Sequence, residues 1–197
     1  MADTGSSAVP RPPGAARGRP RRAGVEEAAL SAAVELIAER GYAGTTIDGI
    51  AQRCGLAKTT LYRRWSSKAE LAVAALAARL GEPPVGEVPG RPGLEATIGW
   101  LATQVSDPSM RLLLVGLTGE AARDHDVRSG LRERIRDPFT RRLADRWGLP
   151  RPRVDLAFDV VVGTLLHRVV MTGRVGANDI AAVTGLATGL LFEEQQG

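Results

Sequence analysis

From Val25 onward the apolar positions recur at three- and four-residue steps. Ala29, Ala32, Ala33, Leu36 and Ile37 form one stripe, the mark of an amphipathic helix. Arg40 followed by Gly41 is a stop signal, a cation near the negative helix end with a permissive residue just beyond it. Thr45-Thr46 offers a capping hydroxyl for a short helix through about Cys54, which Gly55 breaks. A second short helix is predicted from about Lys58 to Arg64. Ser67, with Glu70 three residues later, is a capping box that opens a longer helix, Lys68 to Leu80.

Residues 81–93 hold four Pro and four Gly and read as a loop. Beyond them the helical pattern returns over roughly 94–106, 109–123, 127–146, 152–173 and 177–192, with Pro138 expected to kink or split the third. No alternating β-branched run is bounded by hairpin turns, and no internal repeat is visible, so the fold class is all-α. Residues 1–24 are Gly, Ser, Pro, Ala and Arg without periodicity. They carry too little apolar surface to offset ordering entropy and read as a disordered arm. The expected organisation is this arm, a helical unit over 25–70, and a second helical domain over 71–197.

Composition narrows the class. Apolar residues are 44% and charged residues 24% of 197, as in globular proteins. The longest uncharged run, Ile180 to Phe192, has 13 residues, short of the about 20 that a membrane span needs. The N-terminus lacks the apolar core of a signal peptide. A single cysteine, Cys54, makes no internal disulfide, and with two His it leaves no zinc ligand set, so no metal or cofactor is expected. A reducing, cytoplasmic setting is the expected location.

Charge is unevenly spread. Residues 1–80 hold 12 Lys/Arg against 7 Asp/Glu, a balance of +5, whereas residues 81–197 hold 14 against 15, a balance of −1. The N-terminal part is suited to a polyanion. Gly18-Arg19-Pro20-Arg21-Arg22 adds to this, because Pro keeps the backbone extended while Arg19, Arg21 and Arg22 are free to reach into a narrow A·T-rich minor groove. The alternative for this strip is a solubilising tail.

Residues 47–65 carry the chemistry. Ala51, Gly55 four later and Leu61 six later have helix-turn-helix spacing: a small residue where two helices cross, a turn residue that tolerates positive φ, and an apolar residue facing inward. Ile50, Leu56 and Leu61 are expected to bury, with Cys54 as a small apolar filler. Lys58, Thr59, Thr60, Tyr62, Arg63 and Arg64 then face outward. Such hydroxyls, a phenol and cations suit base edges and phosphates in a major groove. A solvated basic hairpin is the competing interpretation; the spacing, the outward chemistry and the upstream Arg arm together favour DNA.

These residues resemble the tetracycline-repressor (TetR) family of bacterial transcription regulators. The matching positions are Gly41-Tyr42, Thr45-Thr46-Ile47, Ile50-Ala51, Cys54-Gly55-Leu56, Thr60-Leu61-Tyr62, Trp65 and Ser67-Lys68-Ala69-Glu70-Leu71. The resemblance implies that Thr46 caps the second helix near a phosphate, with Thr45 beside it in the contact set. It implies that Tyr62 and Lys68 touch the backbone, and that Lys58, Thr59 and Thr60 sit at the base-reading end. Three positions depart from the family pattern: Ala57 where Ser is frequent as a cap, Arg64 where His or an aromatic is common, and Trp65 where Phe is usual.

In the C-terminal part, Arg153-Val154-Asp155, Gly163-Thr164-Leu165-Leu166 and Thr172-Gly173 look like the penultimate helix of many actinobacterial members. The resemblance implies a helical domain that binds a small ligand in its core and dimerises through its last two helices. Val161, Leu165 and Val169 belong to an apolar set larger than one helix face buries, and Gly185 and Gly189, four apart, allow a partner helix to approach. These are the expected dimer residues. Trp100, Met110, Trp147 and Phe158 are candidates to line a ligand pocket. His125 and His167 lack ligand partners at metal spacing and read as structural, and Arg128, Arg132, Arg134, Arg136, Arg141 and Arg142 interleave with acids as a salt-bridged face.

The functional expectation is a sequence-specific DNA-binding transcriptional regulator: a ligand-responsive repressor, homodimeric on a palindromic double-stranded operator, with a small apolar or amphipathic effector and no membrane partner. The alternatives are an architectural protein that coats DNA without sequence preference, and an α-helical enzyme. No nucleophile elbow, phosphate-cradling Gly loop, metal set or paired carboxylate site supports the enzyme.

Overall fold

The stripe Ala29, Ala32, Ala33, Leu36 and Ile37 is buried along one face of α1 (Pro20–Gly44). The structure, a computed structural model, describes residues 20–85 and 89–192, with side chains from Gly24 onward. Among these residues the remaining helices are α2 (Ile47–Arg53), α3 (Lys58–Tyr62), α4 (Lys68–Leu80), α5 (Arg91–Ser106), α6 (Pro108–Ala121), α7 (His125–Leu131), α8 (Asp137–Trp147), α9 (Arg151–Thr172) and α10 (Ala177–Phe192), and there is no strand. None of the helices is long and apolar enough to cross a membrane.

Several boundaries differ from the sequence expectation, each for a local reason. Pro20 to Gly24, expected as the end of a disordered arm, are the opening turns of α1. Proline fits a first helical position, where its missing N–H has no intrahelical partner anyway, and Arg and Ala then extend a helix already nucleated downstream. The extended strip expected at Arg21-Arg22 is therefore helical in backbone, while Arg19 lies outside the described residues. At the other end, Gly41 leaves helical geometry (φ 72°, ψ 167°) where the stop signal stood, and one further turn follows. Helix α5 begins at Arg91-Pro92, again with proline in the first turn.

Pro138 splits the helix expected over 127–146. Lacking an N–H, it leaves the Arg134 carbonyl without its usual donor, and the chain passes through a π-turn, Arg132–Arg136, between α7 and α8. The Arg-rich face predicted here is salt-bridged between elements. Arg136 holds Asp159 on α9 (2.8 Å), Arg134 reaches Glu70 on α4 (2.8 Å), and Arg142 reaches Glu82 after α4 (3.0 Å).

Three apolar clusters organise the molecule. One lies inside α1–α4 and includes Leu36, Ile50, Leu61, Trp65, Leu71 and Ala75. A second is built by α5, α8, α9 and α10 around Leu143, Val161, Leu165 and Leu191. The third joins the two ends: Ile37 and Tyr42 of the α1 segment, Ala69, Ala72 and Leu76 of α4, Leu113 and Leu117 of α6, and Val127 of α7. Leu71 and Ala75 face the first cluster and Ala72 and Leu76 the third, so α4 is buried on two faces. The domain boundary expected at residues 70 and 71 falls inside this helix. Gly130 of α7 comes close enough to α4 that an added Cβ would stand 3.3 Å from the Val73 side chain.

The start of α4 is fixed by a shifted capping box. Ser67 Oγ accepts the Glu70 N–H (3.1 Å), but the Glu70 carboxylate accepts the Ser66 N–H (2.8 Å) and hydroxyl (2.9 Å) rather than returning to Ser67. These donors, with the Arg134 guanidinium beside them, hold the Glu70 carboxyl below its ordinary value. A carboxyl lowered in the folded state stabilises above its unfolded value and loses that contribution as pH falls through the folded one. Glu70→Gln is therefore expected to lower the urea midpoint at pH ~6, with the gap to wild type closing on acidification below about pH 4. Urea unfolding of both proteins across that range checks it; a gap independent of pH would contradict the assignment.

Candidate nucleic-acid interface

Helices α2 and α3 are too short to be stable alone and are held by caps and clamps. Thr46, in extended conformation, accepts the Gly49 N–H on its hydroxyl (3.0 Å) and starts α2. Gly55 sits at φ 65°, and the Leu56 N–H returns to the Ala51 carbonyl (2.9 Å), closing the turn. Arg53 ties the end of α2 to α1 through Glu39 (2.7 and 2.9 Å) and Glu35 (3.2 Å), which raises its pKa above the usual guanidinium value. Helix α3 follows with Leu61 buried beneath it and Trp65 buried just past its end.

This framework leaves an outward face. Lys58, Thr59, Tyr62 and Arg63 are exposed, Thr60 and Arg64 half-buried, and Thr46 is exposed at the neighbouring cap. Lys58 Nζ lies 2.7 Å from Asp48 on α2 and 5.8 Å from the Tyr62 ring, so the carboxylate aims the ammonium and raises its pKa. Asp48 was not among the candidates read from the sequence. Its signal was an acid in the first turn of α2, which the helix dipole explains equally well.

Two expected contact residues have internal roles. Thr45 is buried, and its hydroxyl donates to the Gly41 carbonyl (2.8 Å), so it fastens the kinked end of α1 instead of reaching outward. Lys68, half-buried, donates to the Tyr42 carbonyl (2.9 Å) and stacks 4.1 Å from the Tyr42 ring. It bonds the start of α4 to the end of α1. Burial pushes the Tyr42 phenol up to about 12.

In the C-terminal region a cavity of about 260 Å³ opens between the end of α4, α5, α6, the π-turn, α8 and α9. Trp100 and Phe158 line it; Met110 and Trp147 do not. Met110 is fully buried in the cluster joining α6 to α1 and α4, and Trp147 is buried against Phe192. Both are large apolar residues in an amphipathic pattern, where pocket and core look alike. The Phe158 ring is set by Phe139 (centroids 5.3 Å apart) and by Arg136 (6.0 Å from the centroid).

The expected dimer residues Val161, Leu165 and Val169 also need correction. All three are at most 5% exposed within the protomer, on the inner face of α9. The outer face instead exposes Leu156, Val170 and Met171, with Gly163 open, and α10 exposes Leu186 beside half-buried Gly185 and Gly189. The apolar excess along α9 was read correctly, but periodicity does not say which of two apolar faces turns inward.

A helix-turn-helix with a cationic outer face, carried on a larger helical domain, defines the class of helical DNA-binding regulators. Residues 29–75 match the family described as bacterial regulatory proteins, tetR family. The chain is 33% identical over 173 residues to the DNA-binding transcriptional repressor TetR of Mycobacteroides abscessus, covering 80% of this chain and 86% of that one. It is 49% identical over 53 residues to the uncharacterized HTH-type transcriptional regulator YdeS of Bacillus subtilis, a match that spans 27% of each chain. Its fold is similar to that of a TetR transcriptional regulator from Rhodococcus sp. RHA1, with a TM-score of 0.61 at 20% identity over 86% of this chain and 95% of the other. The protein belongs to the tetR family of bacterial transcriptional regulators and carries that family's DNA-binding domain at its N-terminal end.

One departure from the family pattern has a measurable cost. Ala57 precedes α3 in the extended conformation of an N-cap (φ −68°, ψ 138°) but has no side-chain acceptor to offer. Ala57→Ser is expected to stabilise the protein by about 1 kcal/mol through that missing hydrogen bond. A chemical-denaturation midpoint equal to or below that of the parent would refute it.

Proposed function

We propose that the protein is an effector-responsive repressor that binds a palindromic operator as a homodimer at the nucleoid. The observation that carries this reading is the position of α4. Its first half holds the core of the DNA-reading unit, and its last turns, at Ala77 and Leu80, form one wall of the C-terminal cavity. A molecule that fills the cavity pushes on the helix that positions α3.

In this reading α3 enters the major groove. Lys58 and Thr59 meet base edges, Tyr62 and Arg63 meet phosphates and base edges, Thr46 sits near a phosphate, and Thr60 and Arg64 border the contact. The cationic residues Arg19, Arg21 and Arg22, ahead of or within the first turn of α1, follow the adjacent minor groove. Tyr62→Ala and Arg63→Ala are each expected to weaken operator binding by roughly 1–3 kcal/mol, with unchanged thermal unfolding. Fluorescence anisotropy with operator DNA tests this, and wild-type affinity in either variant would refute it.

Two reading helices must stand about 34–36 Å apart to enter successive major grooves, which requires a two-fold dimer. The exposed apolar residues on α9 and α10 supply a face for it, and the open backbone at Gly163 and Gly185 lets helices approach closely. Met171 is 65% exposed and Leu186 58% exposed, so a charge at either position costs the protomer little and a dimer much. Met171→Glu and Leu186→Glu are expected to give folded monomers that no longer bind the operator. Sedimentation equilibrium measures this; a dimer of unchanged strength in both variants would place the interface elsewhere.

Control follows from differential binding. An effector that prefers the conformation with the wrong spacing lowers operator affinity tenfold for about 1.4 kcal/mol of coupling, and operator DNA weakens effector binding by the same factor. Arg134 strengthens the link, since it lines the cavity and its guanidinium holds Glu70, which in turn fixes Ser66 just past the end of α3. A protein that merely coated DNA would have steep salt dependence and little discrimination between sequences, and neither feature calls for a cavity against α4.

A further inference from the structure

The cavity is apolar over most of its wall, with Leu101, Val105, Leu114, Phe139, Phe158 and Leu165 among its lining. Its polar groups are few and unequal. Trp100 and Gln104, one turn apart on α5, are residues of its lining that carry a neutral polar group. Two arginines, Arg134 and Arg142, also line it, against one acid, Glu82. Arg134 is committed to Glu70. Arg142 is held at a single guanidinium nitrogen by Glu82 (3.0 Å), which lies two residues beyond the end of α4 with its side chain 85% exposed. Arg142 itself is half-exposed.

An ion pair with one partner that exposed contributes little, because water solvates the free carboxylate nearly as well. A carboxylate carried on an apolar body is a stronger competitor. The body is held by the cavity wall, so the acid group is already positioned, and a guanidinium accepts it through two parallel N–H bonds where Glu82 uses one nitrogen. A cation entering the same cavity meets two arginines and finds its lining acid, Glu82, already paired with Arg142. A neutral polar group gains Gln104 and Trp100 but nothing from Arg142.

We propose that the effector is an amphipathic organic anion, an aromatic or aliphatic acid, whose carboxylate displaces Glu82 from Arg142. This rests on reading the cavity as the effector site. It also supplies a trigger: Glu82–Arg142 ties the chain at the end of α4 to α8, and an acid that takes Arg142 cuts that tie as it fills the cavity. Glu82 is thus a positioning residue for α4, displaced when the effector binds.

The test uses the full-length protein and isothermal titration calorimetry at neutral pH, with three probes of one shape and three charges: naphthoic acid, naphthamide and naphthylmethylamine. Decanoic acid, decanamide and decylamine form a second set. In at least one set the acid is expected to bind about tenfold or more tightly than the amide, and the amine most weakly. Arg142→Gln should bring the acid down to the level of the amide while leaving the amide unchanged. Glu82→Gln, a substitution at an exposed loop position, should tighten the acid severalfold and leave the amide unchanged, an effect a purely structural Glu82 would not produce. Amides that bind as well as acids in both sets would overturn the anion assignment and leave the cavity as an effector site. Failure of all six probes to bind would overturn the anion assignment and the effector-site reading with it.

Discussion

Everything in this molecule depends on the burial of α4 on two faces. Leu71 and Ala75 close the core of the three-helix reading unit, while Ala72 and Leu76 pack with Leu113, Leu117 and Val127 of the C-terminal region. Close-packed interiors transmit displacement because they have no slack to absorb it. A helix shared by two cores cannot shift at one end without a response at the other. The close approach of Gly130 to Val73 tightens the same joint from the side of α7.

Polar contacts reinforce what packing starts. Lys68 bonds the start of α4 to the Tyr42 carbonyl, Glu70 holds Ser66 and Arg134, and Arg142 holds Glu82 beyond its end. Each is partly exposed, and each singly contributes little to stability. Their value lies in position: they fix both ends of α4 to neighbours on either side of it. Weak ties of this kind hold a geometry without locking it, as the effector-responsive function proposed above requires. The outward face of α3 is set in the same way, by Arg53 clamping α2 to α1 and Asp48 aiming Lys58.

Local signals carried far in the sequence. Thr46 and Ser67 cap the helices they were read to cap, Gly55 takes the positive φ of the turn, and Leu61 is buried under an outward row of cations and hydroxyls. Every one of these is decided within about four residues along the chain, where capping, turn chemistry and helical period operate. The split at Pro138 is equally local. The start of α1 at Pro20 was missed because composition argued for disorder, while helix propagation from a nucleated neighbour does not depend on apolar content.

Tertiary structure decided what depends on direction. Val161, Leu165 and Val169 are as apolar as an interface residue needs to be, but only the packing of α5, α8 and α10 around α9 shows that they face inward and that Val170 and Met171 do not. Met110 and Trp147 resembled pocket residues because a cavity wall and a core have the same composition. They differ only in whether something fills the space opposite. Lys68 and Asp48 make the same point for polar groups. Partners 26 and 10 residues away determine where the ammonium and the carboxylate are held. The sequence determined the helices and the class of surface they present, because those follow from contacts along one chain segment. Which face meets which, and where space is left between them, was decided only when distant segments packed.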